Sequence, residues 1–145
     1  MSFSGKVKEE IGKKISAARH CQIAEIAAIL ELCGTIVINR FNQYSIKIHT
    51  ENLVVVRKVF TLIEKTFNIK TDISIRRNVR KCSASYSVIV KHHEDALRIL
   101  QATKMIDDDY RKMVEVQPAN PLVVRQTCCR RAFIRGAFLA AGSIS

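Results

Sequence analysis

Apolar residues recur along this chain with two different periods, and the switches between them outline its elements. From Phe3 to Ile15 the apolar positions Val7, Ile11 and Ile15 are four apart, with Lys6, Lys8, Lys13 and Lys14 around them. That spacing predicts a short amphipathic helix, with Ser2 or Ser4 as its cap. A polar pause, Ser16 to His20, precedes a nearly all-apolar helical stretch from Ala24 that Gly34 ends. Two β runs follow, Thr35-Asn39 and Tyr44-His49, joined by Arg40-Phe41-Asn42-Gln43 as a hairpin. Alternation puts Tyr44, Ile46 and Ile48 on one face and Ser45, Lys47 and His49 on the other. Thr50 or Asn52 then caps a helix whose stripe is Leu53, Val56, Phe60, Ile63 and Phe67. A second hairpin runs from Thr71-Arg76 through a turn around Asn78 to Ala84-Val90. Its apolar face holds Ile73, Ile75, Ala84, Tyr86, Val88 and Val90; its other face holds Ser74, Arg76, Ser85 and Ser87. The helix Glu94 to Gln101 uses Ala96, Leu97, Ile99 and Leu100. The stretch Thr103 to Pro121, with three consecutive aspartates and two prolines, reads as a linker into a last helix.

The order α, α, β, β, α, β, β, α, linker, α makes an α+β fold. Its sheet is expected to be antiparallel, with helices over one face and a concave polar surface on the other. Two of the helices share one plan. Ala132, Gly136 and Ala140 form a row of small side chains on the last helix, and Ala24 and Ala28 form one on the earlier apolar helix. A mid-helix glycine costs about 1 kcal/mol against alanine, so Gly136 suggests close approach of another backbone. Each helix leads to a glycine and a β-branched exit. A plan repeated about a hundred residues apart indicates a duplicated unit meeting itself across a pseudo-two-fold axis.

Such paired units resemble the LAGLIDADG motif of homing endonucleases. Its first copy here is Ile26-Ala27-Ala28-Ile29-Leu30-Glu31-Leu32-Cys33-Gly34, and its second is Ile134-Arg135-Gly136-Ala137-Phe138-Leu139-Ala140-Ala141-Gly142. With SFSGKVKEEI at the start, HCQIAEIAAILELCG, IHTEN and CCRRAFIRGAFLAAGSIS, nearly the whole chain resembles the WhiA family of bacterial DNA-binding regulators. The resemblance implies an αββαββα LAGLIDADG-like half within residues 1–103, after the N-terminal helix. A linker is expected over 104–124 and the start of a second half over 125–145. It also implies a helix-turn-helix domain beyond Ser145, so the chain reads as part of something longer. The implied function is DNA binding in a regulator of transcription, linked to sporulation, cell division and the cell cycle. The alternatives are a protein-interaction scaffold, with the helix-turn-helix domain reading DNA, and an active nuclease half.

In the nucleases that the motif resembles, an acid before each glycine holds divalent metal over the scissile phosphate, a task that needs hard anionic oxygens. Here those positions carry Cys33 and Ala141. Glu31 is two residues from Cys33, roughly 200° round the helix, and cannot stand in. Glu51 and Asp72 belong to other elements. The expectation is a protein without nuclease activity, not an enzyme, and with no cofactor.

Charge turns attention to binding. Twenty-four Lys and Arg against 13 acids give a net charge of +11, which favours a polyanion such as double-stranded DNA. Arg76, Arg77, Arg80 and Lys81 crowd one hairpin, and Arg40 and Lys47 belong to the other; these six are the candidate DNA-binding residues. The bland alternative is a basic hairpin kept soluble by charge. Arg125, Arg130, Arg131 and Arg135 surround the start of the last helix, where cations are unfavourable, so acidic partners (Asp107-Asp108-Asp109 among them) or a phosphate are expected. A protein partner in transcription or division is the other candidate. No apolar run approaches the ~18 residues of a membrane span; the odd number of cysteines points to a reducing compartment, and the resemblance implies a cytoplasmic, nucleoid-associated protein. The five cysteines (Cys21, Cys33, Cys82, Cys128, Cys129) and four histidines (His20, His49, His92, His93) match no zinc template in their spacing; free thiols and no metal are expected.

Overall fold

The computed structural model describes residues 3–106 and 123–141, with side chains from residue 5 onward. The elements, in chain order, are α1 (Phe3–Lys13), α2 (Arg19–Cys33), β1 (Gly34–Ile38), β2 (Tyr44–Thr50), α3 (Leu53–Phe67), β3 (Asp72–Asn78), β4 (Ser83–Val90), α4 (His93–Ala102) and α5 (Thr127–Ala141). The strands form one antiparallel sheet in the order β1-β2-β4-β3. The two central strands supply its buried residues: Ile46 pairs with Val90 and Ile48 with Val88, and helices cover all four. Ile29 and Leu30 of α2, Val55, Leu62 and Ile63 of α3, and Ile99 and Leu100 of α4 are among the residues that pack on them, with Leu139 of α5. Each fully buried aliphatic side chain contributes about 1.5–3 kcal/mol relative to exposure.

Register places Ile73 and Ile75 opposite Val88 and Tyr86, on the helix-bearing side, yet both are exposed. They sit on the edge strand β3, beyond the reach of the helices.

Seven consecutive residues of α2, Ala24 to Leu30, are buried, so the helix is enclosed all round over that stretch, as its nearly all-apolar sequence requires. One side packs on the core and another on α5. At Gly136 the two backbones nearly touch: an added Cβ would lie 2.4 Å from the Glu25 carbonyl oxygen and 3.0 Å from Ala28 Cβ. Ala24, Ala28 and Ala132 are completely buried in the same interface.

Within α2, Glu25 is buried and faces Lys58 of α3, with Nζ 3.1 Å from Oε1 and both side chains fully buried. Lys58 Nζ also donates to the carbonyl of Ile11, at 3.1 Å, and to that of Lys14. Burial pushes the Glu25 carboxyl up and the Lys58 ammonium down, each partly offset by the other's charge.

Several boundaries differ from the sequence-based ones. Arg19 and His20, assigned above to a polar pause, form the first turn of α2. Asn52, and not Thr50, caps α3, accepting from Val54 N at 2.9 Å. Helix α1 already includes Ser4, and Ser2 lies outside the described residues. The chain remains in the core through Thr103, Met105 and Ile106, three buried residues at the expected start of the linker. Most of that linker, with Asp107 to Asp109, lies outside the described residues, as do Gly142 and the strand expected after it.

Candidate nucleic-acid interface

The sheet face turned away from the helices is built by register. Thr35 stands opposite Lys47 and Val37 opposite Ser45; Lys47 stands opposite Ile89 and His49 opposite Ser87. On the other side of β4, Ser87 faces Ser74 and Ser85 faces Arg76. Hydroxyls, one imidazole and the cations Lys47 and Arg76 therefore share this face with two aliphatic side chains, Val37 and Ile89. Its acid, Asp72, is paired with Lys91 at 3.5 Å.

The six candidate residues do not all meet here. Lys47 and Arg76 lie on the open face and are exposed. Arg77 stands opposite Ala84 and so projects to the helix-bearing side, with Ile73 and Ile75. Arg40 is in the β1–β2 turn, its guanidinium 5.0 Å from the Phe41 ring centroid. Arg80 and Lys81 form the β3–β4 turn. Because the hairpins run in opposite senses along the sheet, these turns mark its two ends. The basic groups thus run along the sheet and are not gathered in one spot.

Asparagines set both turns. Asn39 Oδ1 accepts from Phe41 N at 2.8 Å and Gln43 N at 3.0 Å; Asn78 Oδ1 accepts from Arg80 N at 3.1 Å and Lys81 N at 3.4 Å. These side-chain turns hold the backbone beneath Arg40, Arg80 and Lys81.

At the ends of the two motif helices, Cys33 is half-buried and packed against the core, and Ala141 is exposed. Burial pushes the Cys33 thiol up to about 11, despite the Lys8 charge nearby. An open cleft of about 630 Å³ close by is lined by Lys8, His49, Glu51, Tyr86 and Ala140, among others. Its lining offers one acid, Glu51, where a metal clamp on phosphate needs several hard oxygens.

The arginines at the start of α5 make contacts within the chain. Arg130 Nε donates to the Val124 carbonyl at 3.2 Å, and Arg135 Nη2 to Ser16 Oγ at 2.8 Å. Their expected acidic run lies outside the described residues.

The sequence reading left four residues apart that the fold brings together: His20 and Cys21 from α2, Cys128 and Cys129 from α5. Their spacing along the chain resembles no metal template. The available signal was the second motif copy, which repeats the first at a fixed offset. Burial, then the neighbouring Cys128 thiol, pushes the Cys21 thiol up to about 11.

Comparison with known proteins places this architecture. Residues 19–106 match the family model described as the WhiA N-terminal LAGLIDADG-like domain. The chain belongs to the WhiA family. A "Probable cell division protein WhiA" of Lachnoclostridium phytofermentans is 47% identical over 146 residues, covering 100% of this chain and 46% of that protein. The protein of the same description from Lachnospira eligens is 37% identical over 147 residues, covering 100% and 45%. The chain therefore spans about half the length of the curated WhiA relatives it matches. Among solved structures, full-length DUF199/WhiA from Thermatoga maritima superposes with a TM-score of 0.63 at 15% identity, over 96% of this chain and 39% of that one. The N-terminal LAGLIDADG domain of DUF199/WhiA gives 0.64 at 14%, over 96% and 58%. The WhiA structures share the fold, an α+β unit of helices on one antiparallel sheet. Among the described residues no helix is long and apolar enough to cross a membrane.

Proposed function

We propose that this chain is a DNA-binding domain of a bacterial transcription regulator acting in cell division, a LAGLIDADG-like unit that holds duplex DNA without cutting it. The observation that carries this reading is the open sheet face, where Lys47 and Arg76 stand among serines while Arg40, Arg80 and Lys81 occupy the two ends. From strand spacing and rise, the Lys47 and Arg76 backbones are roughly 16 Å apart. Long basic side chains so placed can reach phosphates on both sides of a major groove roughly 12 Å wide. Serine hydroxyls between them add hydrogen bonds to phosphate or base edges. Cys33 and Ala141 at the two acid positions of the motif support binding without hydrolysis.

Salt dependence tests the reading. With about four phosphates neutralised, log Kd for a short duplex should change with log salt with a slope of magnitude near 3–4. Binding should show little sequence preference, and Mg²⁺ should produce no nicking. A slope near zero, or no binding at low salt, would reject this face as a DNA contact. It would favour a protein-docking role, for which the exposed Phe41 and Val79 at the hairpin tips are the supporting observation.

A further inference from the structure

We propose that His20, Cys21, Cys128 and Cys129 form a four-coordinate site for a soft divalent cation of the zinc class, clasping the N-terminal ends of α2 and α5. The imidazole and the three sulfurs all lie within 4.8 Å of one another. His20 Nδ1 is 3.0 Å from Cys129 Sγ, 3.5 Å from Cys21 Sγ and 3.9 Å from Cys128 Sγ. A tetrahedral zinc with bonds of about 2.3 Å to sulfur and 2.0–2.1 Å to nitrogen has N···S edges of about 3.6 Å. The three distances bracket that edge, so small side-chain rotations would close the shell.

The fold itself supplies the geometry. His20 and Cys21 are the second and third residues of α2, and Cys128 and Cys129 are the second and third of α5. Cys128 follows His20 by 108 residues, the offset that also separates Ile26 from Ile134. Each repeat therefore contributes an adjacent pair of ligands from the same helical position. Two such pairs facing each other across a pseudo-two-fold axis describe the four corners of a tetrahedron.

Chemistry selects the ion. Three thiolates and an imidazole suit zinc and disfavour Mg²⁺ and Ca²⁺, which require oxygen. Four protein ligands leave no open position, so the site is structural, not catalytic. Cys21 and Cys129 are buried and form the floor, while the exposed His20 and Cys128 leave a path for entry. Neither helix has an acidic residue in its first turn, and α2 has no side-chain cap. Thiolates there would supply the negative charge that both helix N-termini favour. On metal uptake the three thiols release their protons to solvent, and the complex carries one net negative charge.

The 145-residue chain, reduced and freed of metal, can be titrated with Zn²⁺ against a chromogenic chelator and separately with Co²⁺. One ion per chain is expected, with Co²⁺ giving tetrahedral ligand-field bands and thiolate-to-metal charge transfer. Zn²⁺ should shield Cys21, Cys128 and Cys129 from alkylation and leave Cys82 reactive. The double variant His20→Ala/Cys128→Ser, altered at two exposed positions, should bind Zn²⁺ at least 100-fold more weakly; Cys82→Ser should bind as the parent does. Failure of the parent chain to bind Zn²⁺ stoichiometrically would overturn the proposal, whatever the variants do. So would a Co²⁺ spectrum without thiolate charge transfer. Formation of a disulfide from Cys21 to Cys128 or Cys129, with no metal uptake, would overturn it in favour of a redox pair.

Discussion

Lys58 carries a buried amine that ties three helices of this fold together, from α1 through α2 to its own α3. Lys58 meets one carboxylate and two helix-end carbonyls in a space closed to water. Lys58→Met would satisfy packing but leave the Glu25 carboxylate without its counter-charge, a change that typically costs 3–5 kcal/mol. Denaturant unfolding should show a loss of about that size, with much of it recovered when Glu25→Gln is added, because the orphaned charge is gone. A loss in the single variant below about 1 kcal/mol would mean that water reaches the pair. Cys33 gives a second test at this scale. Its thiol keeps its proton up to about 11 in the folded chain, against an ordinary value of 9.0. Between those values the folded state binds more protons than the unfolded one, so the contribution is intact below pH 9 and is lost as pH rises toward 11. The denaturation midpoint of the parent should therefore fall more steeply over that range than that of Cys33→Ala. Parallel curves would refute the shift.

The pairing of α2 with α5 belongs to the scale of elements. At Gly136 the obstacle to any side chain is the Glu25 carbonyl, a backbone group that moves only if a helix moves. Gly136→Leu should destabilise by about 1–3 kcal/mol as an overpacking change. Gly12→Ala should cost less by thermal melting, since its added Cβ meets a Val54 side-chain methyl instead of a backbone carbonyl and alanine favours the helix. Equal costs would contradict the close crossing. The elements were legible in the sequence because period 2 and period 3.6 alternate cleanly, and the register of both hairpins follows from their alternating faces. Helix starts were less legible. His20 and Cys21 belong to α2 because tertiary packing extends that helix beyond its apolar stripe, and no local pattern announces this. Arg77 lies one residue beyond the strand end expected at Arg76, so its side follows only once β3 extends to Asn78. The cysteine–histidine cluster joins positions 108 residues apart, so linear spacing could not reveal it.

For the molecule as a whole, charge placement should matter more than charge number. Arg76→Glu/Arg80→Glu reverses two cations of the sheet face and its turn; Lys13→Glu/Lys14→Glu reverses two exposed ones around the end of α1. Both pairs change net charge equally, yet only the first should flatten the salt dependence of duplex binding. Equal losses in electrophoretic titrations would show that bulk charge alone attracts DNA. The Lys58 pocket carries a different consequence. The family signature spans residues 19–106, while the carbonyls that hold Lys58 belong to Ile11 and Lys14, and the groove beside Glu25 is closed by Gly136. The stretch that the family model spans is smaller than the set of residues that hold Lys58 and cover α2, although relatives match the chain throughout. A piece cut at the boundaries of that stretch would strand an ammonium group without its acceptors and lay a nearly all-apolar helix open to water. Such a piece should be a poor portable module, since the flanks on either side supply acceptors and cover that its own residues lack.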